Sequence, residues 1–280
     1  MYMNTIKKSL ILALSFSTYN CFSGTKTINI EANTNINQIN QELNSLADND
    51  IVQLSITNDP YLQKTVYTLY TIVSKNKNVK LELTAKDSAL TDKNLKYLTK
   101  CLLRCSLLIK EHPNSKISLT KLIISNNNLS ADYDFIDYLS TCSELTEIDI
   151  SLNNSNFCSQ LLNKLVTQKL TKLAAQKCNL KARCFENLLK LNPAILELNL
   201  SQNNIDELTK DFIDYLKQAT SITTLNLKGN AQLFTDPNTT ELLLEGIEGK
   251  SATITLTDTN YNEFIQLWIN ELKGSNTIIY

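Results

Sequence analysis

Apolar and polar residues keep one schedule through the middle of the chain. In LTKLIISNNNL the apolar residues Leu119, Leu122, Ile124 and Leu129 fall at positions one, four, six and eleven, and Asn127 at nine. The schedule restarts at Leu145, Leu170, Ile195 and Ile222, at spacings of 26, 25, 25 and 27 residues. A fixed period of this size predicts stacked supersecondary units. Within each unit the x-L-x-L segment alternates with period two, as a half-buried strand requires. The residues after the asparagine carry helical spacing instead: Phe135, Ile136 and Leu139; Leu161, Leu162, Leu165 and Val166; Phe212, Ile213 and Leu216. FIDYLS at Phe135 and FIDYLK at Phe212 lie 77 residues apart, which is three units.

Weaker copies extend the array. Ile28 and Ile30 lead to Asn33, and Ile51, Leu54 and Ile56 lead to Asp59. Leu81 and Leu83 lead to Lys86 at the asparagine position, and Ile254 and Leu256 close the series. Units then begin near 25, 51, 78, 119, 145, 170, 195, 222 and 251, about nine in all. The unit at 78–118 is long. Leu95, Leu98, Leu102, Cys105 and Ile109 predict one helix from Asp92 to Lys110, stopped at Glu111-His112-Pro113-Asn114 because proline cannot continue a helix. A short strand at Leu107 to Ile109 is the rival reading.

These residues resemble leucine-rich repeats, and the strand-plus-helix period resembles the ribonuclease-inhibitor-like subclass. The resemblance implies an α/β solenoid, a horseshoe with a parallel sheet on its concave face and helices on its convex face. The asparagine position has a physical reason. A sharp turn after each strand leaves buried backbone groups unpaired, and a stacked side-chain amide satisfies them. Asn127, Asn153, Asn203 and Asn230 are assigned to this ladder. Cys178 stands in the same slot, a replacement the family often shows. The segment 251–280 is expected to cap the end, with Phe264, Ile265, Leu267, Trp268 and Leu272 on a closing helix; a dimer interface is the alternative.

Composition alters this picture in two places. The formal charge is -1, and Gly and Pro number only 5 and 4, which argues against a turn-rich sandwich and against disorder. The first 24 residues differ from the rest: Lys7 and Lys8 precede an apolar run at Ser9 to Ser17, with Cys21 and Ser23 at the small-residue positions before a cut. We read 1–24 as a signal peptide and 25–280 as a single repeat domain exported to the periplasm, the cell surface or the medium. A buried capping helix and a lipoprotein anchor at Cys21 are the alternatives. No later segment predicts a membrane span.

Catalytic chemistry is not indicated. The single histidine, His112, falls on an expected loop, and no nucleotide-binding or zinc-protease motif occurs. No catalytic residue, metal ligand or cofactor is expected, and the carboxylates of Asp134 and Asp137 read as a solvated helix face. Six cysteines follow the proposed cut. Free thiols are the expectation, with Cys158 and Cys184 the best-placed pair for a bridge.

The polar strand positions line the expected docking face. They include Lys80, Glu82 and Thr84; Lys121, Ile123 and Ser125; Glu147, Asp149 and Ser151; Lys172, Ala174 and Gln176; Glu197, Asn199 and Ser201; and Thr224, Asn226 and Lys228. A nucleic-acid surface would show a continuous basic stripe, and this list does not. A protein partner meeting Lys121, Glu147, Asp149, Lys172, Glu197, Asn199, Asn226 and Lys228 is the functional expectation, with the chain a monomer. An effector or surface protein engaging a host or neighbouring cell fits this reading. Inhibition of a secreted enzyme is an alternative, as is an active site in the 90–118 irregularity.

Overall fold

The computed structural model describes residues 25–30, 35–48, 50–56, 62–75, 78–111, 116–130, 133–165, 170–192, 194–219, 221–234, 237–248, 252–256 and 277–279. The N-terminal segment 1–24, Asn33, Asp59, His112 and the segment holding Trp268 lie outside these residues.

Strand and helix alternate throughout. The elements are β1 (Thr25–Ile30), α1 (Ile36–Asn44), β2 (Asp50–Ile56), α2 (Gln63–Ser74), β3 (Asn78–Thr84), α3 (Asp92–Glu111), β4 (Lys116–Ile123) and α4 (Tyr133–Ser140). They continue with β5 (Glu147–Asp149), α5 (Ser155–Lys164), β6 (Lys172–Ala174), α6 (Glu186–Leu191), β7 (Glu197–Asn199), α7 (Lys210–Gln218), β8 (Thr224–Asn226), α8 (Pro237–Ile247), β9 (Thr253–Thr255) and β10 (Thr277–Ile279). Among the described residues the ten strands form one sheet in chain order. Every neighbouring pair is parallel. Each helix packs on the next helix along the chain. The result is an α/β, solenoid-like arrangement.

Local chemistry sets the element ends. Asn154 caps α5 by accepting from the Asn156 N–H at 2.9 Å, and Thr209 caps α7 through the Phe212 N–H at 3.4 Å. Thr91 and Asn94 close the start of α3 reciprocally: Asn94 accepts from the Thr91 N–H at 3.2 Å, and the Asn94 N–H donates to the Thr91 hydroxyl at 3.3 Å. The long irregular unit is therefore a helical one, and its α3 ends one residue beyond the expected Lys110.

The core follows the two periods. Leu54, Leu83, Leu122, Ile148, Leu173, Leu198, Leu225 and Ile254 are buried strand residues that share one continuous core with the helix residues. The two FIDYL segments repeat their burial as well as their letters. Phe135, Ile136, Tyr138 and Leu139 are buried in α4, as are Phe212, Ile213, Tyr215 and Leu216 in α7.

One register and one strand differ from expectation. Leu83 pairs with Leu122, and Thr84 with Ile123, after a bulge that leaves Thr120 unmatched between Leu119 and Lys121. Counting on from that pairing, Ser88 and not Lys86 corresponds to Asn127. Ser88 also bonds as a ladder residue should, its hydroxyl donating to the Ile56 carbonyl of the preceding unit. Second, β10 extends the sheet beyond β9, a strand that the sequence reading did not separate from the terminal cap.

Candidate functional site on the polar face of the sheet

The turns after the strands hold the face in place. The amide of Asn153 donates to the carbonyls of Ile124 at 2.9 Å, Ile150 at 3.0 Å and Ser151 at 3.4 Å. Its oxygen accepts from the N–H groups of Asn127 at 3.3 Å and Leu129 at 3.0 Å. Asn127, Asn203 and Asn230 bond in the same way, each to the unit before it as well as to its own. Cys178 can offer only one hydrogen, and its thiol lies 3.3 Å from the Ile150 carbonyl and 3.4 Å from that of Gln176.

Each of these residues is preceded by one in the left-handed backbone region: Asp87, Asn126, Leu152, Lys177, Gln202 and Gly229, at φ between 52° and 73°. The left-handed residue reverses the chain directly after the strand. Gly229 suits that position twice over, because a Cβ there would also meet the Gln202 Cγ at 2.9 Å. The same reversal explains a correction. Ser125, Ser151 and Ser201, expected on the docking surface, are only 2%, 6% and 2% exposed. The turn carries them inward, where the Ser151 hydroxyl accepts from the Gln176 N–H at 3.0 Å and the Ser201 hydroxyl donates to Asn199 at 2.7 Å.

What remains on the surface falls into two rows across the strands. The first is Gln53, Glu82, Lys121, Glu147, Lys172, Glu197 and Thr224, each paired with the next. From Glu82 to Glu197 its charges alternate in sign. Gln53 donates to Glu82 at 2.8 Å, and ion pairs join Lys121 to Glu147 at 2.8 Å and Lys172 to Glu197 at 2.6 Å. The hydrogen bond to Glu197, aided by the charges of Glu197 and Glu147, pushes the Lys172 ammonium pKa up.

The second row is Thr84, Ile123, Asp149, Ala174, Asn199 and Asn226. Three of its members bond to the backbone two residues on: Asp149 to the Ser151 N–H at 2.9 Å, Asn199 to that of Ser201 at 3.1 Å and Asn226 to that of Lys228 at 3.1 Å. Lys228 itself belongs to the turn and not to the sheet.

Between the rows lies a depression of about 320 Å³. Glu147, Asp149, Lys172, Glu197, Asn199 and Asn226 line it, together with Ala174, the smallest side chain of the second row. The fold thus brings together six of the eight residues expected to meet a partner. Lys121 stands beside the depression through its bond to Glu147, and Lys228 lies apart on its turn.

No family model matches the chain, and no curated protein matches it significantly. The geometry of the face therefore has to carry the functional reading. Three carboxylates and one ammonium line the depression, which gives it an acidic bias that the neighbouring Lys121 offsets in part. Among the described residues no group of His, Cys, Asp or Glu is placed to hold a metal ion, and no helix is long and apolar enough to cross a membrane. The carboxylates of Asp134 and Asp137 lie away from this face, exposed on α4, where Asp137 pairs with Lys164 at 3.1 Å and Asp134 stands 4.0 Å from Lys96. Sequence reasoning found the residues of the depression but missed that their charges pair with one another. The signal was available in the third position of successive frames, which reads Lys, Glu, Lys, Glu from Lys121 onward.

Proposed function

We propose that the chain is an exported leucine-rich repeat module that binds another protein through the polar face of its sheet. In this reading the solenoid curves as a horseshoe, the sheet forms the concave side, and segment 1–24 directs export and is removed. The observation that carries the binding reading is the depression lined by Ala174 together with Glu147, Asp149, Lys172, Glu197, Asn199 and Asn226. Stacked parallel strands present such a face as one continuous surface. Asp149, Asn199 and Asn226 are held by their own turns, so they can meet a partner with little further loss of side-chain entropy. The Lys121–Glu147 and Lys172–Glu197 pairs add a charge pattern that a complementary surface can read.

The test is affinity capture from host or neighbouring-cell extracts with the wild-type chain and with Lys172→Glu and Glu147→Lys, each confirmed folded by circular dichroism. Lys172→Glu sets a carboxylate between Glu147 and Glu197. The expected outcome is a partner captured by the wild type and reduced at least tenfold by either reversal. Equal recovery by all three proteins would remove the depression from the interface.

A further inference from the structure

Cys158 lies on α5, and Cys178 lies in the turn after β6, one unit further along. They are 0% and 1% exposed. Both sulfurs lie near one acceptor, the Ile150 carbonyl oxygen, at 3.6 Å from the Cys158 sulfur and 3.3 Å from the Cys178 sulfur. The two thiols are also within hydrogen-bonding reach of each other. Spacing in the sequence had favoured Cys158 with Cys184; the fold gives Cys158 a different partner. All six described cysteines are free thiols.

We propose that Cys158 and Cys178 are a disulfide site, joined when the chain meets a disulfide oxidant and open when it is kept reduced. With oxidised glutathione the balance is simple. The Cys178 thiolate attacks one glutathione sulfur and forms a mixed disulfide, expelling a first glutathione thiolate. Cys158 gives up its proton and attacks the Cys178 sulfur, closing the protein disulfide and expelling a second. Two protein thiols are oxidised, one glutathione disulfide is reduced to two thiols, and two protons pass from protein to glutathione.

The surroundings act on the two thiols in opposite directions. The thiol hydrogen bond from Cys158 holds the Cys178 pKa down, and the backbone N–H groups of Asn153 and Leu152 reinforce it against the opposing effect of burial. Cys158 is driven the other way, by its bond to Cys178 and then by burial. The sulfur and proton balance is the same whichever of the two thiolates attacks first. The cross-link would close a loop containing all of β6, and hence Lys172 and Ala174. It would also remove the thiol hydrogens from beside the Ile150 carbonyl. Because both sulfurs are buried, exchange requires folding in the oxidant or local opening of the turn at Gln176–Leu180.

The test uses the full chain equilibrated in glutathione buffers from fully reduced to fully oxidised, quenched in acid, alkylated, and digested with trypsin and a Glu-specific protease. Cys158 then falls in fragment 148–164 and Cys178 in fragment 178–181, apart from every other cysteine. The expected mass spectrum shows these fragments joined, two hydrogens lighter, in the oxidised buffer and separately alkylated in the reduced one. Cys158 joined to any other cysteine overturns the proposal. So does recovery of the two fragments unlinked to each other at the oxidised limit. Cys158→Ser keeps the ladder thiol in place. In the oxidised buffer it is expected to leave Cys178 as a free thiol or a glutathione adduct, and Cys178 bonded to another protein cysteine in that variant would also count against the pair.

Discussion

At the scale of single residues, each ladder amide satisfies several buried backbone groups from two units at once. The Asn203 oxygen accepts from the N–H groups of Cys178 at 3.0 Å and Leu180 at 3.1 Å, while its nitrogen donates to Ala175 at 2.8 Å and Leu200 at 2.9 Å. Asn203→Ala strands several buried backbone groups together, so it should cost about 3–4 kcal/mol in urea unfolding, well above one ordinary hydrogen bond. Leu152 offers the opposite experiment. It is an exposed leucine at φ 59°, a region that costs an L-residue about 1–2 kcal/mol. Leu152→Gly should raise stability by about 0.5–1 kcal/mol once the greater freedom of glycine in the unfolded chain is subtracted. A lower unfolding midpoint would show that the leucine side chain contributes more than its backbone strain costs.

At the scale of elements, much was legible and the misses share a cause. The period placed strands and helices, and α3 was readable because its apolar residues keep a 3-4-3-4 spacing over five positions. Register was less legible. A strand alternating with period two looks the same after a slip of two residues, so Lys86 took the place that belongs to Ser88 once the bulge at Thr120 is counted. Ser125, Ser151 and Ser201 failed for another reason: a small hydroxyl fits a solvated strand and a buried turn equally well, and only the left-handed residue that follows decides between them. Exposed ion pairs add to the buried links between units. Lys181, just before the short turn leading to α6, bonds to Asp206 of the next unit at 2.9 Å. That bond, with the Asp206 N–H beside it, holds the Asp206 carboxyl below its ordinary 3.8. A depressed carboxylate contributes stability above its unfolded pKa and loses it as pH falls through the folded value. Asp206→Asn should therefore lie slightly below wild type in urea midpoint at neutral pH and converge with it as acid protonates the Asp206 carboxylate, a small effect because water screens the pair.

At the scale of the whole molecule, each unit touches its neighbours and the sheet runs in chain order. Such an array can gain or lose units without a new core having to be invented. The paired FIDYL helices fit that pattern, since the same four apolar positions are buried in both, three units apart. The row from Glu82 to Glu197 constrains it. Removing the one unit that carries Lys172 would bring Glu147 beside Glu197, a meeting of like charges. Removing the two units that carry Glu147 and Lys172 would bring Lys121 beside Glu197 and leave the alternation whole. In its charged middle the array therefore has a parity: it tolerates even changes of length better than odd ones, and the sign of each strand records its place in the count.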